Sequence, residues 1–166
     1  MLRRMNAKSW KMTLAGASVA CAFGLIAWRL ALATPPTSDF TPTHIVGPVL
    51  MDEIDTKSET DDHEVEIKAK GMSDVYMTSF KIAPGGHGGW HSHPGPSFIA
   101  VKSGTATVYC ACEDPIEKDV YPAGTGFVED AYCVHIVVNE GDTDLEFAVL
   151  QIVPVGAPRR IDEPAP

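Results

Sequence analysis

Short runs that alternate apolar and polar residues dominate the chain from Glu64 onward. These runs lie at residues 65–68, 75–82, 98–102, 105–110, 134–139 and 145–153. Segments rich in Pro, Gly and Asn separate them. Because side chains alternate between the two faces of a strand, each run predicts a strand with one buried face. No helical periodicity follows residue 40, so we predict an all-β fold, an antiparallel sandwich or barrel.

The N-terminal segment has a different pattern. The stretch Met12–Trp28 carries no charged side chain, four basic residues precede it, and Arg29 follows. One interpretation is a secretory signal with Ala31 and Ala33 before the cleavage point. The alternative is a membrane-spanning helix that continues to Ala33, with Arg29 reaching the outer headgroups. Basic residues before the segment and acidic residues after it predict, in both cases, that the rest of the chain is extracytoplasmic, secreted or anchored to the membrane.

Charge and composition divide the remaining chain. After residue 33 there are 8 basic and 22 acidic residues, a net charge of −14. Because binding to phosphate backbones depends on clusters of Lys and Arg, this surface argues against a nucleic-acid partner. We predict four segments: a signal or anchor over 1–33, a Pro- and Thr-rich linker over 34–43, a β-barrel over 44–160 and a tail over 161–166.

An acidic segment and three cysteines also lie after the N-terminal segment. Residues 52–66 hold eight acidic side chains, and we expect a solvated loop there because the ligand spacing of an EF-hand is absent. An exported chain meets an oxidising compartment, so we expect a disulfide from Cys110 or Cys112 to Cys133, with one thiol left free. Three unpaired cysteines are the alternative. A zinc site is less favoured because the spacing matches no standard pattern.

Histidines are concentrated in a glycine-rich segment, residues 85–97. On a strand His91 and His93 project to the same face, so that both imidazoles can bind one metal ion. His135 begins an apolar strand further along the chain. Three neutral imidazoles suit a divalent transition metal, among which Fe, Zn, Ni, Cu and Mn are not distinguished by the sequence. The three histidines are therefore candidate metal ligands.

These histidines lie in a pattern that resembles the first motif of the cupin superfamily. That motif reads Gly, five residues, His-x-His, three or four residues, Glu, six residues, Gly. Here Gly85, His91, His93 and Gly104 match in register, and Ser97 stands at the position of the glutamate. The resemblance extends over residues 75–153.

The second cupin motif is present in an altered form. Its start matches at Pro122 and Gly124, and its end matches at His135 and three residues later at Asn139. Ten residues separate the two parts where the motif has two, and Phe127 stands where the histidine would normally be.

The resemblance implies a double-stranded β-helix, the cupin jelly-roll barrel, with His91, His93 and His135 as metal ligands. Glu129, in the inserted segment, is a candidate ligand or proton carrier, although we favour a three-histidine site. Cupins include oxygenases, isomerases and binding proteins, so the fold does not name the reaction. We expect a small-molecule oxygenase or isomerase, with a non-catalytic metal- or ligand-binding module as the alternative. A homodimer is also expected by resemblance.

Overall fold

The computed structural model describes residues 32–112 and 114–166, and these residues form twelve strands and no helix. The predicted all-β class is therefore confirmed. The strands are β1 (Phe40–Met51), β2 (Ile54–Thr60), β3 (His63–Ala69), β4 (Ser73–Ile82), β5 (His91–Ser92), β6 (Ser97–Ser103), β7 (Thr105–Cys110), β8 (Glu117–Pro122), β9 (Gly126–Glu129), β10 (His135–Val138), β11 (Leu145–Pro154) and β12 (Ile161–Asp162).

The predicted signal or membrane anchor lies almost entirely outside the described residues. Within the part of the chain that is described, no helix is long and apolar enough to cross a membrane. Strand β1 begins at Phe40, inside the segment expected to be a linker.

Two five-stranded antiparallel sheets form the domain. One has the strand order β1-β4-β11-β6-β9, and the other has the order β12-β5-β10-β7-β8. Buried residues alternate with less buried ones along β11, as the sequence pattern predicts. The buried side chains form one hydrophobic core, which includes Phe80, Ile82, Leu145 and Phe147. At the turn between β6 and β7, Gly104 has a φ of +73°, a conformation that favours glycine.

The acidic segment is a hairpin, so the prediction of a loop there is wrong. Strands β2 and β3 pair with each other from Ile54↔Ala69 to Thr60↔His63. The residues of the hairpin are mostly exposed, which suits their charge. Alternation of Val65 and Ile67 with acidic residues marks this pairing, whereas the count of acidic side chains suggested only solvation.

The outer face of the first sheet carries one apolar side chain on each strand. Register pairing places these side chains side by side across the sheet. All are exposed, and we call them the outer row: Val46, Met77, Leu150, Phe98 and Val128. A contiguous exposed apolar surface of this kind is typical of a surface that meets a partner.

Candidate metal centre

The three predicted histidines come together inside the barrel. His91 of β5 is the register partner of His135 of β10, and His93 follows β5 by one residue. The ring centroid of His91 lies 4.8 Å from that of His93 and 4.3 Å from that of His135. All three side chains are buried. Candidate ligand atoms from the three rings lie within 4.8 Å of one another.

Backbone carbonyls fix the orientation of each imidazole. The Nδ1 atoms of His91, His93 and His135 lie 2.8, 2.8 and 2.9 Å from the carbonyl oxygens of Gly89, Arg159 and Cys133. Because a carbonyl oxygen only accepts, Nδ1 of His91 and of His135 carries the proton and donates. The Nε2 lone pair of those two rings is then free in the neutral form. Nδ1 of His93 lies 3.0 Å from Gln151 Nε2 as well as near a carbonyl, so its role depends on the tautomer. Such outer hydrogen bonds are typical of metal-binding histidines.

A glutamate that sequence analysis left with two possible roles completes the group. Glu129 Oε2 lies 3.3 Å from His93 Nε2, and Glu129 Oε1 lies 3.1 Å from His135 Nε2. Glu129 of β9 is the register partner of Ser97 of β6. Directly paired residues project to the same face, so the carboxylate enters the barrel beside the position where the cupin motif has its own glutamate.

The separations in this group fit a shared metal ion. Two donor atoms about 2.1 Å from one ion and at right angles are about 3.0 Å apart, close to both Glu129–histidine distances. His135 Nε2 lies 3.1 Å from Glu129 Oε1 but is buried with no hydrogen bond that meets the geometric criteria among the described residues. A buried polar atom of this kind is costly unless something occupies its lone pair. The residues present therefore fit a divalent metal.

Burial and neighbouring charges shift the pKa values in the group. Burial lowers the pKa of His91 well below its usual value, and the charges of His135 and Arg160 lower it further. Burial alone would raise the pKa of Glu129, but His135 and His93 outweigh it, so the pKa is lowered and the carboxylate is ionised. For His135, burial lowers the pKa, and the adjacent Glu129 outweighs burial and raises it. The site therefore combines an anionic carboxylate with an imidazole that stays neutral.

A small cavity of about 40 Å³ adjoins the histidines. Aromatic rings of Phe40, Phe80 and Phe147 line one side of it, where successive centroids are 5.1 and 5.2 Å apart. Arg159 and Arg160 also line it, and Arg160 Nε donates to Asp162 Oδ1 at 2.5 Å. The cavity therefore joins an apolar wall to two basic side chains, one of which is paired with a carboxylate.

Sequence analysis did not identify these two arginines. They are the only arginines after residue 33, which is the one signal that could have drawn attention to them. Strand β12 follows Arg160 directly and pairs with β5 through Asp162↔His91, and this pairing brings the arginines to the site. Arg159 Nη1 donates a hydrogen bond to Gln151 Oε1 at 3.0 Å. Arg160 Nη2, in contrast, is buried without a hydrogen-bond partner among the described residues.

Two other residues of the altered second motif have structural roles. Phe127 stacks on Tyr121 with ring centroids 4.2 Å apart and packs against the core. Asn139 is fully buried and donates to the carbonyls of Ile82 and Thr143, both at 2.8 Å. Neither residue belongs to the candidate metal site.

The predicted disulfide is confirmed, and it joins Cys112 to Cys133. Cys110 is the free thiol among the described cysteines. These residues lie at the end of β7 and in the loop before β10, next to His135.

Comparisons with known proteins find one matching family and several solved structures that are similar to part of this chain. A family model described as the cupin domain matches residues 78–153. A recombinant oxalate oxidase in complex with glycolate is 27% identical over 46% of this chain and 41% of its own, with a TM-score of 0.44. An oxalate decarboxylase from Lactobacillus farciminis in a formate complex is 23% identical over 53% of this chain and 26% of its own, with a TM-score of 0.47.

A third solved structure is an uncharacterised protein with a double-stranded β-helix domain from Klebsiella pneumoniae. It is 20% identical over 68% of this chain and 85% of its own, with a TM-score of 0.44. The chain thus spans less than half the length of the oxalate oxidase that it matches. No curated protein matches the chain. The family match shows that this chain carries a domain of the cupin superfamily over residues 78–153.

Proposed function

We propose that this chain is a metal-dependent cupin that acts on a small carboxylate. In this proposal His91, His93, His135 and Glu129 bind one divalent transition metal ion, and Arg160 binds the anion beside it. The observation that carries the proposal is the convergence of three imidazoles and one carboxylate, with the Nδ1 atom of each imidazole within 2.9 Å of a backbone carbonyl oxygen. A set of three nitrogens and one oxygen suits Fe, Mn, Ni, Cu or Zn.

The size and charge of the cavity support a small anionic substrate. A volume of about 40 Å³ corresponds to about three water molecules on this measure. The Nη2 atom of Arg160, which has no hydrogen-bond partner among the described residues, supplies hydrogen-bond donors at the cavity wall. A guanidinium and a carboxylate form paired, charge-assisted hydrogen bonds. The substrate class that fits is therefore a carboxylate of very few carbon atoms.

In the proposed function each group at the cavity has a separate role. A bound divalent metal would supply Lewis acidity toward an oxygen atom of the substrate. Arg160 orients the carboxylate and offsets its charge, and the phenylalanine rings exclude water from the cavity. Exclusion of water strengthens the interaction between the guanidinium and the anion. Oxidation or isomerisation of the bound acid is the activity that we propose.

Non-catalytic binding of a small anion is the second candidate. If Glu129 binds the metal, the cavity residues that the structure describes contain no other carboxylate to carry a proton. Binding without turnover requires only the metal and Arg160. Turnover distinguishes the two candidates.

The first experiment measures metal content per chain by mass spectrometry for the wild-type protein and single variants. We expect about one equivalent in the wild type and a loss of metal in His91→Ala and His135→Ala, because each removes a ligand. His87→Ala is the matched control, since His87 is a half-buried histidine of the same segment and lies outside the group. Equal metal content in all four proteins would contradict the proposed site.

The second experiment tests the anion with the metal-loaded protein. Isothermal titration with carboxylates of two and three carbon atoms should show binding that weakens about 10- to 100-fold in Arg160→Gln, the usual effect of losing a charged hydrogen bond. Arg160→Lys keeps the charge and should weaken binding less. Product formation and oxygen consumption then separate an enzyme from a binding protein. Unchanged affinity in Arg160→Gln would exclude the proposed role of this residue.

We also propose that the domain is exported. The basic N-terminal segment before an acidic domain and the disulfide between Cys112 and Cys133 support this proposal, because disulfides persist in oxidising compartments.

A further inference from the structure

Three sulfur atoms meet at the rim of the barrel beside the metal site. Cys112 and Cys133 form a disulfide. The Sγ atom of Cys110 lies 2.7 Å from the Sγ atoms of both partners. A free thiol thus contacts both sulfurs of an existing disulfide, which is more than a purely structural cross-link needs.

The strand register explains this arrangement. Cys110 pairs with His135, and the amide of Ala111 continues the ladder by donating to the carbonyl of Val134 at 2.8 Å. The next pair along the ladder is Cys112 opposite Cys133, with Cα atoms 5.3 Å apart, within the range of a disulfide. Cys110 is the diagonal neighbour on the same face. Diagonal neighbours have Cα atoms about 7–8 Å apart, so a Cys110–Cys133 bond requires the backbone at the two residues to move closer together.

The cluster is open to solvent. It lines a surface groove of about 610 Å³, together with Glu117, Asp130 and the exposed Tyr132. Cys112 is exposed, and Cys110 is half-buried. A small molecule can therefore reach the disulfide. The carboxylates of Glu117 and Asp130 favour cationic or uncharged molecules over anionic ones.

We propose that Cys110, Cys112 and Cys133 form a thiol–disulfide exchange site for small cationic or uncharged thiols and disulfides. The Cys110 sulfur is equally distant from both partners and therefore lies beside the bond. In the internal step the Cys110 side chain rotates into line with the Cys112–Cys133 bond, and its thiolate attacks Cys133 Sγ. A Cys110–Cys133 bond forms as the Cys112–Cys133 bond breaks, and Cys112 leaves as a thiolate, so no net oxidation occurs. In the external step the exposed Cys112 thiolate attacks a small disulfide, forms a mixed disulfide and releases one small thiolate.

Cystamine, a cationic disulfide, tests the internal step because it reacts only with a free thiolate. The oxidised full chain is treated with a chelator and then with cystamine, quenched with acid and analysed by peptide mass spectrometry. Cys21 is replaced by Ser in every variant so that it adds no thiol. We expect about one cysteamine per chain in the protein that contains Cys110. In some molecules it should be on Cys110, and in others on Cys112 together with a Cys110–Cys133 disulfide.

Matched variants make the result decisive. Cys110→Ser keeps the Cys112–Cys133 disulfide and should take up no cysteamine. Cys112→Ser should form the Cys110–Cys133 disulfide directly. Glutathione disulfide, which is anionic, should react several-fold more slowly than cystamine with the Cys110-containing protein.

Three results would overturn the proposal. The first is cysteamine found on Cys110 alone, with the Cys112–Cys133 disulfide intact at all times. The second is an equal rate for the cationic and anionic disulfides, which would remove the assigned substrate class. The third is isolation of the protein with all three thiols reduced and one zinc ion bound to them. The first two results come from the chelated protein, and the third comes from the protein as isolated with its zinc assigned to the thiols, so none of them depends on the histidine site.

Discussion

A swap of the residue types at positions 97 and 129 tests the most specific feature of the proposed metal site. This feature is a carboxylate on Glu129 rather than at the motif position that Ser97 occupies. The two residues are register partners on β6 and β9, so both side chains project into the barrel from neighbouring strands. We expect Glu129→Ser to lose metal affinity. The double variant Ser97→Glu/Glu129→Ser returns a carboxylate to the same face and should recover much of that affinity.

The expected magnitudes follow from the contacts. Loss of an outer hydrogen-bond partner of a metal ligand weakens metal binding about 10- to 100-fold. Glu129 approaches two imidazole nitrogens within 3.3 Å as a candidate ligand itself, so its loss should weaken binding at least about 100-fold, or about 2.7 kcal/mol. The double variant should regain at least about tenfold of this loss, a coupling that a double-mutant cycle isolates.

Packing supplies a matched control for this experiment. Ser97 is fully buried, so Ser97→Glu alone overfills the site and should cost about 1–3 kcal/mol of stability. Removal of the Glu129 side chain in the double variant leaves space for the new carboxylate and should relieve part of that cost. Metal affinity is measured by competition with a chromophoric chelator, and stability is measured by urea unfolding of the metal-free proteins. Wild-type affinity in Glu129→Ser would refute the role of Glu129, and no recovery in the double variant would refute the register argument.

The remaining predictions concern pH, assembly and export. Because the pKa of His91 is lowered in the folded protein, its contribution to the stability of the metal-free protein falls as pH drops below about 6.5, by up to about 2 kcal/mol at pH 5. Urea unfolding of His91→Asn should lack that loss, and identical pH profiles would contradict it. Static light scattering should show a homodimer that Leu150→Glu, in the middle of the outer row, converts to a monomer; a monomeric wild type would rule this out. Intact mass should show either cleavage after Ala33 or a full-length chain in the membrane fraction, and a full-length cytosolic chain would contradict export.

The alternation of apolar and polar residues predicted many strands of the fold well, because a strand with one buried face needs apolar side chains at every second position. All six predicted runs are strands, including β4 and β11, which pair along their whole length. Strand β1 escaped prediction because it contains prolines. Prolines are tolerated there because β1 lies at the edge of its sheet. Strand β8 escaped because it is exposed on both faces and shows no apolar period.

The candidate site was partly predictable from local spacing. Two histidines two residues apart on one strand share a face, so His91 and His93 could be paired from the sequence alone. Glu129 could be named as a candidate, but its register with Ser97 depends on how β9 pairs. Arg160 could not be placed, since its position depends on a pairing between β12 and β5 that joins residues some 70 positions apart. Long-range pairing of short strands leaves no periodic signal.

The inserted part of the second motif links the two unusual features of this cupin. Its first half forms β9, which carries Glu129 to the metal site, and its second half is the loop that carries Cys133. The carbonyl of Cys133 accepts the hydrogen bond that orients His135. Diagonal strand neighbours have Cα atoms about 7–8 Å apart, beyond the usual span of a disulfide. In the proposed exchange, transfer of the bond from Cys112 to Cys110 would therefore draw Cys133 toward β7 and move the carbonyl that positions His135, so that the insertion would couple disulfide exchange at the rim to the geometry of the metal site.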